Sequence, residues 1–173
     1  MSKPASKTVV PPSLARFSSS SRLSENSRHR LIATLNERLA DGLDLQSQVK
    51  LAHWNVKGPH FAALHPLFDT FASAVTGHVD DIAERAVILG GLAQGGVRHA
   101  ARASHLADYP ADVVRDLEHA KLLGERFDTF AEGLRASRSI AEEEGDIDTA
   151  DMLTAMLQET EKHAWFLRAT LGN

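Results

Sequence analysis

Two pairs of side chains in this sequence have the spacing that metal chemistry requires. His65 and Asp69 stand four residues apart, and so do Asp80 and Glu84. On a helix the four project at about 0°, 40°, 60° and 100° from His65, so all share one face. Asp80 and Glu84 are like charges in a register where like charges repel, a repulsion that a cation between them would remove. Any single pair reads as ordinary solvated charge; two pairs in one register read as a metal site. Imidazole mixed with carboxylate suits iron, manganese or zinc better than calcium or magnesium, which take oxygen alone.

One straight helix cannot bring both pairs to one ion, because Asp69 and Asp80 lie about 16 Å apart at 1.5 Å per residue. Two copies crossing antiparallel can: the His–Asp pair of one chain then meets the Asp–Glu pair of the other. The crossing point falls near residues 74 and 75, within Ser73-Ala74-Val75-Thr76-Gly77, whose small side chains permit close approach. His53 completes the expected set. It lies on the stripe Leu35, Leu39, Gly42, Gln46, Val49 and His53 of the preceding helix, within about 40° of one direction.

These residues need long helices to hold them, and the composition supplies them. The chain has 173 residues, 43% apolar and 24% charged, with only 6 prolines and 11 glycines. That is one domain's worth of core, rich in helix formers. Cysteine is absent, which removes disulfides, thiol nucleophiles and thiolate metal sites. No apolar run reaches the roughly 18 residues of a membrane span. The start Met1-Ser2-Lys3-Pro4 lacks a signal-peptide stretch, so a cytoplasmic location is expected. Ser24 is placed to cap a helix running to about Val56, and Gly58-Pro59 breaks the chain before a second helix from Pro59 to about Leu89. Gly90-Gly91 stops it, and residues 92–108 read as a connector with one short helical turn. Tyr109-Pro110 is expected to restart a long helix that reaches Glu144, and Asp148 to Leu171 form the last. The expected class is all-α: a four-helix bundle with a short helix in its long central connection.

Charge divides the chain in two. Residues 1–22 carry Lys3, Lys7, Arg16 and Arg22 and no acid, while residues 23–173 hold 15 basic and 23 acidic side chains. The first segment, with Pro4, Pro11, Pro12 and a serine run, reads as a flexible basic arm on a folded acidic body. Read from composition alone, Trp54 is a large core residue. Glu142, Glu143 and Glu144 sit at the C-terminal, negative end of their helix, where acids are unfavourable.

The stretch Lys50-Leu51-Ala52-His53-Trp54-Asn55-Val56-Lys57-Gly58 resembles the signature of the Dps family, the DNA-protecting mini-ferritins. Leu64-His65-Pro66-Leu67-Phe68-Asp69 and Gly77-His78-Val79-Asp80-Asp81-Ile82-Ala83-Glu84-Arg85-Ala86 are similar to family motifs too. So is the ending, Asp148-Thr149-Ala150-Asp151-Met152-Leu153 followed by Trp165-Phe166-Leu167. The resemblance covers about residues 23–171 and implies a ferritin-like bundle assembled as a homododecamer. It implies that His53, His65 and Asp69 face Asp80 and Glu84 of a two-fold-related subunit, forming a ferroxidase centre with Trp54 beside it. The iron would be oxidised preferentially by hydrogen peroxide and stored as ferric mineral in the hollow shell. Asp146, Asp148 and Asp151 match positions that line acidic pores admitting Fe²⁺. The arm residues Lys3, Lys7, Arg16 and Arg22 would contact DNA without sequence preference, placing the protein at the nucleoid. Nucleoid compaction with secondary ferroxidase activity is the alternative reading.

Overall fold

A computed structural model of the chain describes residues 16–172. Five helices form: α1 Glu25–Asn55, α2 Phe61–Ile88, α3 Val97–Ala103, α4 Asp116–Glu143 and α5 Ile147–Thr170. Ser24 caps α1, its hydroxyl accepting from the Ser27 N–H at 3.0 Å, and Asp146 caps α5 through the Thr149 N–H. The α4–α5 turn passes through Gly145 at φ 74°, a left-handed conformation suited to glycine.

Contacts at the ends fix how the helices run. Arg30 near the start of α1 pairs with Glu143 at 3.0 Å and Glu144 at 2.7 Å, at the end of α4. Lys57, just beyond α1, donates to the Val114 carbonyl at 2.8 Å and accepts from the Asp116 N–H at 3.1 Å, at the start of α4. Helices α1 and α4 are therefore antiparallel. Helix α2 pairs with α1, and α5 with α4. The α2–α4 connection must consequently traverse the length of the bundle, which is why it is long enough to contain α3. Arg30 also explains the glutamates at the negative end of α4. Hydrogen bonds from Ser27 and Arg30 hold the Glu144 carboxyl below its ordinary range, offsetting the unfavourable dipole.

The core is aliphatic at the α1 side and aromatic at the centre. Leu31, Leu35, Leu39 and Val49 pack toward Phe68, Phe71, Phe127 and Phe130, all essentially buried. Phe71 and Phe127 meet edge to face at 5.4 Å. No described helix is long and apolar enough to cross a membrane.

Three expectations need correction. Helix α4 begins at Asp116, seven residues after Tyr109, because Arg115 is extended and bridges Lys57, whose N–H goes to the Val114 carbonyl. Trp54 is 67% exposed in the chain rather than part of its core. The arm is not free along its whole length. Arg16 and Phe17 donate backbone N–H groups to the Gly90 carbonyl at 2.8 and 3.0 Å, and the Ser19 hydroxyl donates to Ile88 at 2.7 Å. These bonds satisfy carbonyls at the end of α2 that have no helical partner. Lys3 and Lys7 lie outside the described residues.

Candidate metal centre

The turn between α1 and α2 brings His53 and His65 together. Gly58 sits there at φ 153°, and a Cβ would collide with the Asp116 carboxylate. That carboxylate accepts the His60 N–H at 2.7 Å, the His60 ring Nδ1–H at 3.0 Å and the Leu117 N–H at 2.9 Å. The backbone bond from His60 is the main cause holding the Asp116 carboxyl below its ordinary range. Asp116 thus ties the start of α4 to the turn that positions both histidines.

The two imidazoles stack at 3.9 Å, with planes 22° apart. His53 Nδ1 lies 2.8 Å from the His65 carbonyl, and His65 Nδ1 lies 2.9 Å from the His53 carbonyl. A carbonyl only accepts, so each Nδ1 carries a proton, which in the neutral ring leaves the lone pair an ion needs on Nε2. The His53 carbonyl is free for this because α1 ends at Asn55: its helical donor would be the Lys57 N–H, which goes to Val114 instead. Backbone carbonyls thereby fix the tautomer and plane of both prospective ligands, a common outer-shell arrangement in metal sites.

Asp69 lies one turn beyond His65 and is exposed. Its carboxylate accepts from Lys50 Nζ at 2.7 Å, and that bond is the first cause lowering the Asp69 pKa from its ordinary value. An ion arriving at Asp69 must therefore compete with this ammonium group. Lys50 and Asp116 went unnoticed in the sequence. The first had a signal in its place one turn before His53; the second had none.

Asp80 and Glu84 are exposed on the same helix, with no hydrogen bond or ion pair among the described residues. Between the two pairs, Ser73, Thr76 and Gly77 are exposed and a Cβ on Gly77 would meet open space. An open groove of about 580 Å³ flanks Asp80, lined by Leu43, Thr76, Gly77, Ala83 and Gly95. Helix α2 is continuous, so the His–Asp and Asp–Glu pairs stay at opposite ends of its exposed face. Within one chain, no three His, Asp or Glu side chains converge as metal ligands among the described residues.

The three aspartates expected at a pore separate. Asp146 is 4% exposed; it accepts from Arg85 at 2.6 Å and from the Thr149 hydroxyl. Its carboxylate holds the start of α5 against the end of α2, a correction to its expected place in a solvent channel. Asp148 and Asp151 are exposed.

An all-helical bundle with these side chains along α2 defines a ferritin-like protein, and the family model of the ferritin-like domain matches residues 32–173. The chain is 41% identical over 147 residues to the DNA protection during starvation protein of Agrobacterium fabrum, covering 85% of this chain and 91% of that protein. Among solved structures, DpsA14 from Streptomyces coelicolor superposes with a TM-score of 0.86 at 34% identity, covering 92% of this chain and 94% of that one. DpsC from the same organism gives a TM-score of 0.87 at 28% identity, with 94% and 95% coverage. The chain belongs to the Dps family.

Proposed function

We propose that the protein oxidises Fe²⁺ at sites shared between two subunits and stores the ferric product inside a dodecameric shell. The observation that carries this reading is the locked histidine pair: two rings held through Nδ1, with Asp69 one turn beyond His65 and with Asp80 and Glu84, unpaired among the described residues, at the far end of the same helix. An antiparallel α2–α2′ crossing between subunits would join the halves. Iron is the substrate. Anionic carboxylates favour Fe³⁺ over Fe²⁺, which lowers the cost of giving up an electron. Two Fe²⁺ ions supply two electrons to one peroxide; its O–O bond breaks to give hydroxide, with no hydroxyl radical released. In such a shell the exposed Asp148 and Asp151 would draw cations inward, with Asp146 holding the start of α5.

Following ferric absorbance after adding peroxide or oxygen to Fe²⁺-loaded protein tests this. Wild type should oxidise iron rapidly, faster with peroxide, and the His53→Ala/His65→Ala variant should not. Equal rates in the two proteins would overturn the reading.

A second reading, DNA retention through the arm, is favoured by the four cations within residues 1–22. Twelve arms on one shell would bind by summed phosphate contacts, so retention should fall steeply with salt. Deleting residues 1–22, and with them all four cations, should remove most of a low-salt mobility shift and leave iron oxidation intact. Retention by the truncated protein would assign the arm no role in binding.

A further inference from the structure

Tyr109, the chain's only tyrosine, lies in the connection that precedes α4. Its hydroxyl oxygen is 2.6 Å from Nδ1 of His119, and the two rings stack at 5.9 Å with planes 12° apart. His119 is fully buried, and its ring meets the edge of Phe68 at 6.5 Å. Phe68 lies on the buried face of α2, so the Tyr109–His119 pair packs behind the helix that carries His65 and Asp69. Burial raises the phenol pKa and lowers the imidazole pKa. Burial thus favours the neutral form of both groups, and in the tautomer with the imidazole proton on Nε2 the phenol O–H faces the Nδ1 lone pair.

A phenol that loses an electron becomes strongly acidic and must lose its proton with it. In a buried site that proton needs an acceptor already in place, since a charged tyrosyl cation is costly away from water. Here the acceptor stands at hydrogen-bond distance. We propose that Tyr109 and His119 form a redox-active pair, a sink for one-electron oxidants of the hydroxyl-radical class. The source of such oxidants rests on the iron reading above: a lone Fe²⁺ meeting peroxide yields Fe³⁺, hydroxide and one hydroxyl radical. That radical takes one electron from the Tyr109 ring and becomes hydroxide. The phenolic proton moves along the existing hydrogen bond, the O–H bond breaking as an N–H bond forms on His119 Nδ1. A neutral tyrosyl radical remains beside an imidazolium. Trp54 and Trp165 are 67% and 56% exposed, so radicals there face solvent, whereas this pair confines the unpaired electron within the connection.

The test has two arms, each on the full-length assembled protein. In the first, Fe²⁺-loaded protein is mixed with peroxide, freeze-quenched and read by electron paramagnetic resonance. In the second, no iron is present and ruthenium(III) tris-bipyridine, generated by a laser flash, supplies the oxidant. Both should give a tyrosyl signal in wild type, and neither should in Tyr109→Phe, whose rate of iron oxidation stays unchanged. His119→Phe keeps a ring against Phe68 but removes the acceptor, and should slow tyrosyl formation in the flash arm by about tenfold or more. Circular dichroism confirms that both variants remain helical. A merely structural hydrogen bond would leave tyrosyl formation in the flash arm as fast in His119→Phe as in wild type, which overturns the pairing. Absence of a tyrosyl signal in the wild-type flash arm overturns the proposal independently of iron. A signal there with none after iron and peroxide overturns the role as a sink for the iron reaction.

Discussion

Mixing a His65→Ala chain with an Asp80→Asn chain tests the shared centre through simple combinatorics. In the two-fold dimer proposed above, each site would take its His–Asp half from one chain and its Asp–Glu half from the other. A heterodimer of the two variants has one site with both defects and one site with none. Purified heterodimers should therefore oxidise iron at about half the wild-type rate, although each parent retains under about a tenth, the loss expected when a ligand is removed from an ion held by few contacts. Random equimolar mixing makes about half the dimers mixed, so about a quarter of sites become intact. The reciprocal arrangement is equally diagnostic. A chain carrying both substitutions, paired with a wild-type chain, spoils both sites of the heterodimer and should leave almost no activity. Differently tagged chains, refolded together and separated by sequential affinity steps, supply both species for a stopped-flow iron assay. A centre built within one chain gives the opposite pattern, inactive in the first heterodimer and about half active in the second. That outcome would refute the geometry argued from the continuous α2.

Other consequences are more local. Asp146→Ala removes a buried partner of Arg85 and the α5 cap, so it should lower stability by about 3 kcal/mol in denaturant unfolding, whereas exposed Asp148→Ala should cost under about 0.5 kcal/mol. Equal effects would return Asp146 to the solvent channel. Gly58→Ala places a Cβ against Asp116 at a glycine-type φ and should cost about 2 kcal/mol or more, with slower iron oxidation as the histidine turn shifts. Burial among Phe71 and Phe127 lowers the His163 pKa to about 4. The unfolded chain binds that proton near pH 6.5, so His163's stabilising contribution is complete above that pH and is lost as pH falls toward 4, by about 3 kcal/mol at most. His163→Phe should flatten the pH dependence of unfolding across that window; an unchanged slope would refute the assignment. Lys50→Met frees Asp69 and should tighten Fe²⁺ binding by no more than about fivefold, read by titration calorimetry under anaerobic conditions.

How far the sequence could be read depended on the range of the interaction. The ends of α1 and α2 and the α4–α5 turn were legible because Ser24, Gly58-Pro59, Gly90-Gly91 and Gly145 act within a few residues of themselves. The shared face of His65, Asp69, Asp80 and Glu84 was legible for the same reason: helical periodicity alone sets it. The start of α4 was not, because Pro110 is a local signal for helix, and the pairing of Val114 and Asp116 with Lys57 is made across more than fifty residues.

By itself, then, the sequence determined that long amphipathic helices would form and that one of them would carry His65, Asp69, Asp80 and Glu84 on one face as two separated pairs. Tertiary structure decided what those residues could do. It set the tautomers of His53 and His65, since each Nδ1 finds its carbonyl only when α1 ends beside α2. It withdrew Asp146 into a buried ion pair and left Asp148 in solvent, although the two are near neighbours with the same side chain. It placed Trp54 outside the core and the base of the arm on the carbonyls of α2. Local propensity and spacing are properties of a segment. Protonation, burial and partner choice depend on the groups that distant segments bring alongside, and those contacts exist only after the helices have packed.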